Sequence, residues 1–256
     1  MSHPTVIVLM YRERITFVPV GFEIYRQIPR PSAELIEAFR GVPTADLVDV
    51  MHKRGSVDPA IRPIYRPMPN VVGPAVTISA PDSAFSIIKA GLEMTKPGDV
   101  VVVNARGNLD AALVGGNVCR GLKARGVAGF LADGSIRDVS EIREDGLPVF
   151  SRGVALQMGP IPGAGEINVP IAFGGVVVNP GDIIVADEDG IAVVPPHLAE
   201  EVLAAAHALH ESHQAAQPAL LRGEVTGIAA ILDQITKSGG AIHDGMHASG
   251  QARSEQ

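Results

Sequence analysis

From Val71 to Val194 the chain alternates short β-branched runs, punctuated by Gly and Pro, with stretches at helical spacing, and this alternation limits the fold more than any other feature. "VVGPAVTISA" and "PGDVVVVNARG" read as strands flanking a helix near 83–94. A Gly/Ala-rich helix is expected from about 109 to 125, then the strand "GVAGFLAD", a turn at Asp133-Gly134, and a short helix to Glu144. "PVFSRGVA", "VPIAFGGVVVNPGD", "IIVADEDG" and "IAVVP" read as consecutive strands, with hairpin turns at Pro180-Gly181 and Asp189-Gly190. A closing helix carries Leu198, Val202, Leu203, Ala206 and Leu209 on one face. Two short helices precede the alternation. One is capped by Ser32 and the other starts at Pro43-Thr44-Ala45-Asp46 and runs to Val50. The reading is an α/β domain over 32–235, with an N-terminal arm over 1–31 and a flexible Gly/Ser-rich tail over 236–256.

Hydrophobic residues make up 46% of the chain and aromatics 4%, so the core must be aliphatic. A net charge of −7 with scattered basic residues argues against direct nucleic-acid binding. The single cysteine, Cys119, excludes an internal disulfide and any multi-cysteine metal centre, which suits a reducing cytoplasm. The apolar run Thr5–Met10 is too short for a membrane span and lacks the basic start of a signal peptide.

Several motifs fail on spacing. "GPIPGAGE" is not a dinucleotide fingerprint, no P-loop is present, and His207, His210 and His213 do not match HExxH. Cys119 reads as a small packing residue. Two segments remain. Arg137-Asp138 follows a buried strand, where strand ends of α/β sheets collect ligands; Asp138 could equally cap the next helix with Arg137 paired to it on the surface. "LVGGNVCRGLKARG" places Gly115-Gly116 at a helix start, whose free N–H groups and dipole attract a carboxylate or phosphate, although glycine there could also serve close packing.

Together with "TADLVDVM", "GPAVTI", "KPGDVVVV", "ARGVAGFLADGSIRD", "GLPVFSRG" and "PGDIIVADEDGIAVVP", these segments resemble the RraA-like family from about Thr44 to Glu201. That family includes the class II pyruvate aldolases acting on 4-hydroxy-4-methyl-2-oxoglutarate and 4-carboxy-4-hydroxy-2-oxoadipate. The resemblance implies a three-layer β/β/α sandwich like the swivelling phosphohistidine-type domain, a homotrimer or hexamer, and a lyase that releases pyruvate by retro-aldol cleavage of a 4-hydroxy-2-oxo acid. Oxaloacetate decarboxylation would accompany it, since both reactions pass through the enolate of pyruvate. By resemblance Asp138 is the ligand to Mg²⁺ or Mn²⁺, and Arg137 holds the keto oxygen and carboxylate. Gly115, Gly116, Asn117 and Val118 would cradle the pyruvyl carboxylate, and Glu211 of a neighbouring subunit is the candidate for a further acid.

The family signature is an Asp, twenty intervening residues, then Arg-Asp; here the leading position is Gly116. The alternative implied by the same family is a non-catalytic RraA-type protein that binds and inhibits a ribonuclease. A methyltransferase reading finds no cofactor loop in the sequence.

Overall fold

The computed structural model describes residues 21–161, 163–224 and 227–245. The run Thr5–Met10 and the last part of the expected tail, 246–256, lie outside the described residues. The chain divides into two compact units at His207/Ala208.

The first unit is built on four parallel-connected strands, whose interior runs are buried on both faces and therefore almost continuously apolar. After α1 (Ala33–Ala38) and α2 (Thr44–Val50) come β1 (Arg62–Pro63), β2 (Val71–Ser79), α3 (Phe85–Leu92) and β3 (Val100–Ala112). Then follow α4 (Gly116–Ala124), β4 (Gly129–Ile136), α5 (Val139–Asp145) and β5 (Val149–Val154). β2, β3, β4 and β5 pair in that order, all parallel, with α3, α4 and α5 as their crossovers. The remaining strands are β6 (Glu166–Ile167), β7 (Ile171–Phe173), β8 (Val176–Val178), β9 (Ile183–Ala186) and β10 (Ile191–Val194). β9 joins the far end of β2 antiparallel and carries β10, while β7 and β8 form a separate two-stranded ribbon.

Three apolar clusters define the layers. Ile88, Cys119, Leu122 and Ile142 of the helices pack on Val101, Val103, Phe130 and Ala132 of the parallel sheet. The opposite sheet face, with Val100, Val102, Leu131 and Phe150, packs on Phe173, Val178, Ile184 and Val193 of the later strands. This is the expected β/β/α arrangement. The outer side of β9 and β10 is closed by Phe39, Leu47, Val202 and Ala206, from the C-cap of α1, from α2 and from the start of α6 (Ala199–Leu221). The second unit holds the remainder of α6 and α7 (Ile228–Lys237), which has no buried residue.

Much of the expected order is present, including the Ser32 cap, whose Oγ accepts from Leu35 N at 3.1 Å. Three local expectations need correction. Residues 109–112 belong to β3 rather than to a helix, because Arg106 (φ 54°) and Gly107 (φ 71°) take left-handed conformations and shift the register with β4. Asn108 and Ala112 then pair with Gly134 and Ser135, and this pairing overrides an Ala-rich local preference. Asp133-Gly134 lies inside β4 and is not a turn. Pro180-Gly181 links β8 to β9, which sit in different sheets, so the hairpin turn of this region is Gly174-Gly175 between β7 and β8.

The described part of the arm is tied to the domain. The Arg30 guanidinium donates twice to Asp99, at 3.0 and 2.8 Å, and the Asp99 side chain is 1% exposed. No helix among the described residues is long and apolar enough to cross a membrane.

Candidate active site

Arg137 and Asp138 occupy the link from the C-terminal end of β4 to α5, beside the N-terminus of α4. Asp138 sits at φ 60°, ψ 41°, a left-handed conformation that a non-glycine residue adopts at a cost. It holds the N-cap position of α5, yet its side chain makes no capping hydrogen bond. Its Oδ2 instead accepts from Gly116 N, at the start of α4, at 3.0 Å. Of the two readings left open by the sequence, the geometry therefore removes the simple cap. The backbone strain turns the carboxylate away from its own helix and toward the neighbouring helix dipole.

The two glycines make this approach possible. A Cβ on Gly115 would collide with Asp138 Oδ2 and come within 3.1 Å of the Arg137 Cγ and Nε atoms. A Cβ on Gly116 would collide with the Glu141 carboxylate. Glu141 thus fills the space beside the position that carries the leading Asp of the signature. Sequence reasoning missed it; its signal was a third acid one helical turn after Asp138, opposite a glycine. Glu141 is half-exposed and faces Arg120 Nη2 at 3.5 Å, and Arg120 also reaches Asp145 at 3.1 Å.

Arg137 is held at its backbone by a bond from its N–H to Val114 O at 3.0 Å, and its Nη1 donates to Leu156 O at 3.4 Å. Its Nε lies 3.5 Å from Asp138 Oδ2 but is buried without a hydrogen-bond partner among the described residues. An unsatisfied buried donor costs about 1–3 kcal/mol, and Arg137 is also a wall residue of a cavity.

That cavity has a volume of about 330 Å³. Gly115, Asn117, Val118, Arg137 and Asp138 line its polar side, and Phe85, Met158 and Ile161 its apolar side. Gly116 does not line it; buried behind, it contributes its N–H to Asp138. The Val118 N–H is occupied by Gly115 O at 3.1 Å. Of the four residues expected to cradle a carboxylate, Gly115 and Asn117 line the cavity with backbone N–H groups that have no acceptor among the described residues.

Cys119 is fully buried on α4, and burial, followed by the charges of Asp138 and Asp145, pushes its thiol up to about 12. A buried thiol with so little thiolate character suits a packing residue. Asp133, in the same stretch as Arg137, is part of a separate structural network: it accepts from Arg152 Nε at 2.6 Å and from Gly174 N at 3.0 Å. His210 and His213 stand on α6, and Glu211 is exposed on the same helix.

Among the described residues no group of three or more His, Cys, Asp or Glu could surround a metal ion. Among the residues lining this cavity Asp138 supplies the carboxylate; Glu141 does not line it and lies behind, against Gly116. Such a set suits a hard cation that keeps several waters and takes the rest of its shell from substrate, as Mg²⁺ does. The residues therefore fit a sparsely held Mg²⁺ or Mn²⁺.

A strand-end carboxylate and arginine thus face a glycine-cleared helix start on a β/β/α sandwich, the position at which α/β folds commonly collect ligands. The chain belongs to the RraA-like family: the Aldolase/RraA family model matches residues 44–193. A protein of Halalkalibacterium halodurans with the provisional name 4-hydroxy-4-methyl-2-oxoglutarate aldolase is 36% identical over 203 residues, spanning 79% of this chain and 95% of that one. Streptomyces coelicolor RraAS2, described as an unusual member of the RNase ES inhibitor RraA protein family, superposes with a TM-score of 0.66 at 32% identity. That superposition covers 75% of this chain and 99% of RraAS2. The RNA-processing inhibitor RraA from Thermus thermophilis gives 0.55 at 29% identity, over 60% and 92% of the two chains.

Proposed function

We propose that the protein is a divalent-metal-dependent lyase of the class II pyruvate aldolase type. It would cleave a 4-hydroxy-2-oxo acid by retro-aldol reaction to pyruvate, and decarboxylate oxaloacetate through the same enolate. The observation that carries this reading is the convergence on one cavity of a carboxylate turned there by left-handed backbone and a buried Arg137 Nε without a partner. The aldolase names of relatives support the same class.

Asp138 would hold Mg²⁺ or Mn²⁺ directly, and Glu141 would accept hydrogen bonds from its waters in place of the acid absent at Gly116. When bound, the cation would polarise the 2-keto oxygen as a Lewis acid. Arg137 would donate its free Nε–H to that oxygen, meeting the negative charge that develops as the carbon–carbon bond breaks. The N–H groups of Gly115 and Asn117, reinforced by the α4 dipole, would orient the substrate carboxylate. Phe85, Met158 and Ile161 would exclude water from the developing charge.

The reading includes a homotrimer or hexamer in which Glu211 of a neighbouring copy joins the site. Support for a covered rim comes from Leu156, 89% exposed, and Ile161, 74% exposed, beside the cavity. Pyruvate release from 4-hydroxy-4-methyl-2-oxoglutarate and from oxaloacetate, after chelation and again with Mg²⁺ restored, tests the proposal. Metal-restored turnover is expected. No turnover of either compound at any metal concentration would contradict it and favour the non-catalytic, ribonuclease-binding reading to which the RraA structural neighbours point.

A further inference from the structure

A second cavity, of about 500 Å³, lies where the N-terminal segment runs beside β6. Tyr25 N donates to Ile167 O at 3.0 Å, and Ile167 N to Glu23 O at 2.9 Å, so the segment is extended and Glu23, Tyr25 and Gln27 share one face. Those three line the cavity together with Glu166 and Asn168. The Tyr25 hydroxyl donates to Glu23 Oε2 at 2.9 Å. That bond and then the Glu23 charge are the main causes that raise the Tyr25 phenol above its ordinary range. Neither glutamate forms an ion pair among the described residues.

Asn168 supplies an independent observation. It is 6% exposed, and its Nδ2 donates to Tyr25 O at 2.7 Å. Its Oδ1 is buried and has no hydrogen-bond partner among the described residues. The cavity is therefore lined by two glutamates and by Asn168, whose buried amide oxygen is orphaned; all three groups are acceptors. A single water offers only two protons and leaves the paired negative charge in place, whereas a cation satisfies all three groups at once.

We propose that this cavity binds a divalent oxygen-seeking cation, Ca²⁺ in preference to Mg²⁺, through Glu23, Glu166 and the Asn168 amide oxygen. The donors include no nitrogen or sulfur, which selects a hard ion. A roomy site built from two separate chain segments suits the larger, geometrically tolerant one. The site shares no residue with the catalytic cavity. Its role is structural: the cation pins residues 23–27 to β6, upstream of the Arg30–Asp99 clamp, and stabilises the fold by binding only the folded state.

The chain has no Trp and three Tyr, so Tb³⁺ emission sensitised through tyrosine reports an ion beside Tyr25. Measured in an Asp138→Asn background, which removes the catalytic ligand, saturable Tb³⁺ emission displaced by Ca²⁺ is expected. Glu166→Gln should weaken Tb³⁺ binding by about tenfold or more, and the Glu23→Gln/Glu166→Gln pair should abolish it. Tyr25→Phe should remove the emission while leaving the Ca²⁺-dependent rise in Tm. Absence of emission from the parent, emission unchanged in Glu166→Gln and the double variant, or emission that survives Tyr25→Phe would each overturn the proposal. Glu166→Gln alone keeps the test decisive if the double variant does not fold.

Discussion

Asp133 and Asp138 stand five positions apart in one stretch, each beside an arginine, yet the two pairs are opposites. Asp133 is buried in β4 and fully used: Arg152 Nε at 2.6 Å on one oxygen and Gly174 N at 3.0 Å on the other, with Arg152 also donating to Asp58 at 2.8 Å. The Asp133 bond is the main reason the Arg152 guanidinium is held above its usual range. The Arg137–Asp138 pair is half-exposed, separated by 3.5 Å, bent through left-handed backbone, and leaves Arg137 Nε with no partner. Saturated charges hold β4, β5 and the β7–β8 ribbon together; the unsaturated pair has bonding capacity left over, which the proposed function assigns to metal and substrate.

If that contrast is right, the two aspartates fail differently. Asp138→Asn should lower metal-dependent pyruvate release by roughly 1,000-fold, because an amide holds a hard cation poorly, while far-UV circular dichroism and Tm stay near those of the parent. Near-native turnover would place the metal elsewhere. Asp133→Ala should do the reverse. Leaving Arg152 and Gly174 N without their buried acceptor should cost about 3 kcal/mol in urea unfolding, with kcat per folded molecule retained. A selective fall in kcat would bring Asp133 into the chemistry and break the comparison.

Smaller substitutions sharpen it. Arg137→Lys should lose about 10- to 100-fold in kcat/KM, since a point charge cannot keep Leu156 O and also present a second donor to substrate. An unchanged rate would demote Arg137 to a surface partner. Glu141→Gln should raise the Mg²⁺ concentration for half-maximal rate by about tenfold with little change in saturated kcat. No shift in that concentration would mean that the space a Cβ at Gly116 would fill is unrelated to the metal.

The smallest expected effect belongs to Cys119. With its folded pKa raised to about 12, the thiol should resist iodoacetamide at pH 8. Because the folded value lies above the ordinary 9.0, its contribution to stability should be complete below about pH 9 and lost as pH rises toward 12. Ready labelling of the native protein at pH 8 would show that the helix layer opens.

The strand and helix order was legible because the buried parallel strands are uninterrupted apolar runs, and such runs survive any detail of packing. The left-handed bulge at Arg106-Gly107 was not, since nothing local distinguishes "NLDAA" in a shifted strand from the start of a helix. At the site, residue types announced Arg137 and Asp138 but not their backbone. Whether Asp138 caps α5 or turns to α4 depends on one φ angle, which the sequence does not encode locally. Gly116 likewise reads in the sequence as a missing acid. Only the three-dimensional approach of Glu141 to its open face shows that an acid occupies that space from another helix.

The central claim is that the bonding capacity left over at Asp138 belongs to a divalent cation. Calorimetric titration of Mg²⁺ in the presence of pyruvate, on the parent and on Asp138→Asn side by side, addresses it most directly. The account predicts that the variant's isotherm lacks one binding site present in the parent. Identical isotherms would contradict it.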